Sequence, residues 1–152
     1  MKLTIELVPK TCFYSNVRSE VTEAQWETIK REIYAQARNR CQICGGRGPQ
    51  WPVECHEIWH YDDEKRVQTR TGMTALCPAC HQVKHFGLAQ MRGNGSEALQ
   101  HLMDVNGWEY ERAKMYVQSV FETWAERSRR QWVLDIGYLE FVFGIKPKEK
   151  VR

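Results

Sequence analysis

Two Cys-x-x-Cys pairs, Cys41/Cys44 and Cys77/Cys80, constrain this chain more than any other feature of its 152 residues. Two intervening residues let both thiolates of a pair reach one ion from a tight turn, and zinc prefers four sulfur or nitrogen ligands in a tetrahedron. Used twice, the spacing predicts a four-cysteine zinc ribbon whose structural Zn2+ pins the two ends of residues 45–76. A redox pair would not need the second knuckle. Cys12 and Cys55 have no partner at such spacing and read as buried, inert thiols. The second knuckle runs straight into a histidine pair, Cys77-Pro-Ala-Cys80-His81-Gln-Val-Lys-His85. Four residues apart on a helix, His81 and His85 share one face and can hold a second, different metal.

Composition narrows the classes. An apolar fraction of 42%, with six Trp, six Tyr and five Phe, is enough for a packed core and argues against disorder. The net charge of +3 permits a nucleic-acid partner without demanding one. No apolar run approaches the roughly 18 residues that would span a bilayer, so no membrane partner is expected. The first residues, Met1-Lys2-Leu3-Thr4-Ile5-Glu6-Leu7, carry an acid inside a short apolar stretch and no small-residue cleavage site, unlike a signal peptide. Paired thiolates on a metal fit a reducing compartment, and a cytoplasmic location is expected.

The pattern along the chain predicts an α+β fold in a single domain spanning residues 1–152. Leu3, Ile5 and Leu7 alternate with Lys2, Thr4 and Glu6, which predicts an N-terminal strand from Lys2 to Val8, ended by Pro9. Thr22-Glu-Ala-Gln25 reads as a capping box opening a helix, with Trp26, Ile29, Ile33, Tyr34 and Ala37 at helical spacing, as far as about Arg40. Residues 41–86 then form the metal core. Pro52 to Tyr61 is expected to be a strand, Asp62 to Arg66 a solvated turn, and a helix is expected to begin near Pro78. Residues 96–143 form a mainly helical extension. It holds a helix from an Ser96 N-cap to about Val105, stopped by Asn106-Gly107, and a longer one from about Glu109 to Arg129. Trp132 to Phe143 reads equally as strand or helical turn, and Lys146 to Arg152 is a basic tail.

A histidine on the first strand of the inserted hairpin, His56, and two on the following helix, His81 and His85, would converge on one cavity. Three histidines leave coordination positions open, which a metal needs in order to hold both a phosphate and a water. The order Cys41-x-x-Cys44, then Glu54-Cys55-His56-Glu57-Ile58, then Leu76-Cys77-x-x-Cys80-His81-x-x-Lys84-His85 resembles an HNH endonuclease with the ββα-metal fold and an embedded four-cysteine zinc ribbon. The match covers roughly Cys41 to His85. The resemblance implies divalent-metal-dependent cutting of nucleic acid, DNA above all. It gives His56, His81 and His85 the places of ligands to a catalytic cation such as Mg2+, Mn2+ or Ni2+.

Two positions depart from the family pattern. The residue after the first ligand, where the family usually has its general-base histidine, is Glu57. The asparagine that orients that base would fall at about Gly72, which has no side chain. Glu57 holds the motif position of the base. His60 is the other candidate, because His56, Ile58 and His60 face one way on a regular strand, although a bulge could turn Glu57 inward. Lys84 and Arg92, flanking the site, are the expected phosphate contacts. His101 reads as an ordinary, partly buried histidine, and Tyr116 and Trp124 as core. These departures keep a second function open: a catalytically degenerate HNH-like zinc module that binds nucleic acid or a protein. A zinc deaminase is excluded, since Cys55-His56-Glu57 lacks the His-x-Glu spacing and Leu76 stands where a proline would precede the knuckle.

Overall fold

The computed structural model describes residues 1–12 and 16–146. It is an α+β arrangement in the order α1 (Val17–Glu20), α2 (Glu23–Gln36), β1 (Glu54–Asp62), β2 (Val67–Leu76), α3 (Pro78–Lys84), α4 (Phe86–Met91), α5 (Gly95–Asn106), α6 (Tyr110–Arg127), β3 (Val133–Asp135) and α7 (Tyr138–Phe143). The strands form one sheet in the order β1-β2-β3, with β1 and β2 an antiparallel hairpin and β3 parallel to β2. The basic tail beyond Lys146 lies outside the described residues.

Helix α2 starts where its capping box places it. Thr22 Oγ1 accepts from the Gln25 amide at 3.1 Å, and Gln25 Oε1 accepts from the Thr22 amide at 2.9 Å. Its buried Ile29 and Ile33 pack with Met73 and Ala75 of β2 and with Leu139 of α7. The second core gathers Leu3 and Ile5 with Val83, Phe86, Leu102, Trp108 and Ala113, around the buried sulfurs of Cys41, Cys77 and Cys80. Gly107, at φ 65°, closes α5 in the left-handed conformation expected after Asn106.

Three elements differ from expectation, and a fourth that was open between two readings is resolved. Residues 2–8 alternate inward and outward as a strand would, but they join no sheet. Side chains take the place of a ladder. Asn106 Oδ1 accepts from the Lys2 and Leu3 amides, both at 2.9 Å, Tyr116 Oη accepts from the Ile5 amide at 3.0 Å, and the Lys84 carbonyl accepts from Glu6. The helix after the second knuckle breaks at His85 (φ −99°, ψ 51°), so His85 caps α3 rather than extending it. Asn94, not Ser96, stands at the N-cap of α5. The ambiguous Trp132–Phe143 stretch supplies both a strand, β3, and a helix, α7.

Candidate metal centres

The first knuckle follows α2 through Arg38 and Asn39, both in the left-handed region at φ 55° and 54°. The Cys44 amide points at Cys41 Sγ (3.5 Å) and the Gly46 amide at Cys44 Sγ (3.4 Å). Cys77 is the N-cap of α3, and its sulfur accepts from the Cys80 amide at 3.4 Å. These turns bring the four sulfurs within 4.8 Å of one another, with Cys44 Sγ 3.6 Å from Cys77 Sγ. A zinc tetrahedron with Zn–S of about 2.3 Å has an edge of roughly 3.8 Å, so the four cysteines fit a structural zinc ion. Sulfurs this close share protons. A bond from Cys80 holds Cys41 down to about 4, and that same bond, followed by burial, pushes Cys80 far up. A divalent cation would hold all four as thiolates. The loop behind the knuckle is tight: a Cβ on Gly48 would lie 2.3 Å from the Trp51 carbonyl oxygen, which only glycine avoids.

The second group is His56 from β1, His81 from α3 and His85 at the cap, with one nitrogen of each ring within 4.8 Å of the others. His81 Nε2 and His85 Nε2 are 3.1 Å apart, close to the separation of neighbouring ligands on one ion with metal–nitrogen bonds of about 2.0–2.1 Å. Carboxylates hold one nitrogen on two of the rings. His81 Nδ1 donates to Glu54 Oε1 at 3.0 Å, and Glu54 Oε2 accepts from the Trp51 indole at 3.1 Å. His56 Nε2 is bonded to Glu6, whose other oxygen accepts from Lys84 Nζ at 3.1 Å. Imidazoles held this way have fixed tautomers and rotamers, which is how carboxylates prepare histidines for a metal. Burial and then the neighbouring histidines hold His85 down to about 4, and burial lowers His81 as well. Both rings are therefore neutral near pH 7, the protonation state a metal ligand requires.

Lys84 is not placed as the exposed phosphate contact expected of it. It is 6% exposed, and its ammonium is spent on Thr4 Oγ1 at 2.7 Å and on Glu6. Arg92, by contrast, is exposed and lines a cavity of about 330 Å³ with Glu54, His81 and His85. Glu57 lines a second cavity, of about 240 Å³, together with all three histidines. Its Oε1 accepts from the Val17 amide at 3.2 Å and from Arg70 Nε at 3.1 Å, and its Oε2 accepts nothing among the described residues. Arg70 is itself buried and clamps both oxygens of Glu20. Burial raises the Glu57 carboxyl above the usual range, against the pull of Arg70. The hairpin is bulged, but the extra residue is Thr71 on β2, opposite Ile58 and Trp59. His60 is exposed and lines a different cavity, against α6. Gly72 pairs with Ile58 and brings no polar group to either site.

Four partners had no sequence signal. Glu6 and His56 are fifty residues apart, and Arg70 and Glu20 likewise. His101 does more than fill space, since its Nε2 lies 3.1 Å from Cys80 Sγ. Glu54 could have been noticed, because it precedes His56 by two residues. No protein-family model, curated protein or solved structure matches the chain.

Proposed function

We propose that this protein is a metal-dependent, HNH-type endonuclease that hydrolyses phosphodiester bonds of DNA in the cytoplasm, with zinc on the four cysteines and a divalent cation on His56, His81 and His85. The observation that carries the reading is the convergence of three imidazoles, His56 and His81 each held by a carboxylate, beside a four-cysteine cluster. A cation there would neutralise the scissile phosphate and stabilise the departing oxygen. The protein's own groups divide the remaining work. Glu54 and Glu6 keep the lone pairs of His81 and His56 aimed inward. Arg92 offers a guanidinium to a phosphate at the rim. Glu57, held through Oε1 and lining the same cavity as the histidines, accepts the proton of the attacking water.

One observation favours a second reading, a zinc module that binds without cutting. Glu57 sits in a buried ion network with Arg70 and Glu20, and such networks also serve structure alone. Cleavage of single-stranded DNA and of plasmid with added magnesium, manganese or nickel separates the two. The nuclease reading expects cleavage that His56→Ala, His85→Ala and Glu57→Gln each lower by at least about 100-fold. Activity absent with every metal supports the binding module instead, and activity untouched by these changes overturns the roles given to these residues.

A further inference from the structure

Beside the histidine site lies a larger cavity, of about 520 Å³, between β1 and α6. The two cavities share Glu6, Trp59 and Tyr61 as a common wall, so the larger one opens next to the proposed cation. We propose that it is a stacking subsite for an unpaired nucleobase, which makes single-stranded nucleic acid the substrate class. The inference rests on the nuclease reading for its place in a reaction, but not for its binding chemistry.

The walls suit a flat, aromatic ligand. Trp59 and Tyr61 are two residues apart on one face of β1, so their rings are roughly 7 Å apart along the strand. Each carries a guanidinium on one side: Arg70 lies 4.9 Å from the Trp59 ring and Arg127 4.8 Å from the Tyr61 ring. Arg70 is buried and covers Trp59 from the interior, and Trp59 also lines the cavity. From the opposite wall come Tyr116 and Trp124, which sequence spacing had assigned to the core. Both are half-buried, and their polar ends are tied to the N-terminal segment: Tyr116 Oη accepts from the Ile5 amide at 3.0 Å, and the Trp124 indole donates to the Val8 carbonyl at 2.9 Å. A platform held at its polar ends costs little ordering when a base stacks on it.

Charge points the same way. A duplex is gripped mainly through its phosphates, by many lysines and arginines. Here the net charge is +3, and Arg127, the arginine lining this cavity, is paired with Asp63 through two bonds of 2.9 Å. Recognition must therefore rely on the bases. A base paired within a duplex has both faces covered and cannot enter the cavity.

The test uses the zinc-loaded protein without a second metal, and fluorescence polarisation with labelled oligonucleotides of about a dozen positions. The probes are oligothymidylate, an abasic strand of equal charge and a duplex. Oligothymidylate is expected to bind at least about tenfold tighter than either of the others, since stacking on an aromatic side chain is worth about that much or more per base. Ser119→Trp, on the exposed rim of α6, should fill the cavity and remove that advantage while leaving zinc content and melting temperature unchanged; Trp59→Ala should remove it from the other wall. Abasic or duplex binding as tight as oligothymidylate overturns the proposal. So does an unaffected Ser119→Trp, or failure of every probe to bind. Binding without nicking under any metal would refute the nuclease reading and leave the subsite standing.

Discussion

A carboxylate on the far nitrogen of a metal-binding imidazole typically strengthens metal affinity 10- to 100-fold. Glu54 stands in that relation to His81, and Trp51 fixes Glu54 in turn. Glu54→Ala is therefore expected to weaken divalent-metal binding at the histidine site by about that factor with zinc content unchanged, measured by nickel titration calorimetry; Trp51→Phe, which removes only the indole donor, should weaken it less. The thiols provide a second check. Burial pushes Cys12 up to about 11 and Cys55 up to about 12, so neither is a thiolate at pH 8. A thiol reagent at that pH should find both silent while the protein is folded and zinc-loaded. A metal chelator should then release four reactive groups, counted by absorbance. Cys55 is half-buried rather than buried as expected, and its fast reaction in the loaded protein would contradict the raised value of its thiol.

Among the elements, those with local signals were legible. The Thr22 box, the Gly107 stop and the spacing of Tyr110–Arg127 depend on neighbours within a few residues, and each appears near its expected place. The misjudged elements depend on distant partners. Residues 2–8 have a strand's alternation, but α5 and α6 supply the hydrogen bonds that a sheet would have given. Nothing in Val133–Asp135 announces that it will lie parallel to β2. His85 was expected on a continuous helix, and the break there is what the cap geometry adds. Because Asn106 anchors the Lys2 and Leu3 amides and the Leu3 carbonyl, Asn106→Ala should cost about 1–3 kcal/mol. In a chain of this size that lowers the melting temperature by several degrees. An unchanged melting curve would mean that the segment is held by Leu3 and Ile5 burial alone.

At the scale of the whole molecule, the two candidate metal centres are joined through α3. Cys77 and Cys80 open the helix and His81 follows at once, so an ion on the cysteines would fix the position from which two histidines reach His56. The cysteines and histidines were legible because motif spacing names them. The groups that prepare them were less so: Glu6 and His101 are brought near only by the fold, and only Glu54, two residues before His56, carried a local signal. Among the described residues no helix is long and apolar enough to cross a membrane. The most direct test counts metals by native mass spectrometry, after purification and then with added nickel or manganese. Wild-type protein should carry one zinc as purified and take up one further ion, and His85→Ala should keep the zinc and take up none. A second ion bound equally well by His85→Ala, or no second ion in the wild type, would contradict the histidine centre and the chemistry proposed for it.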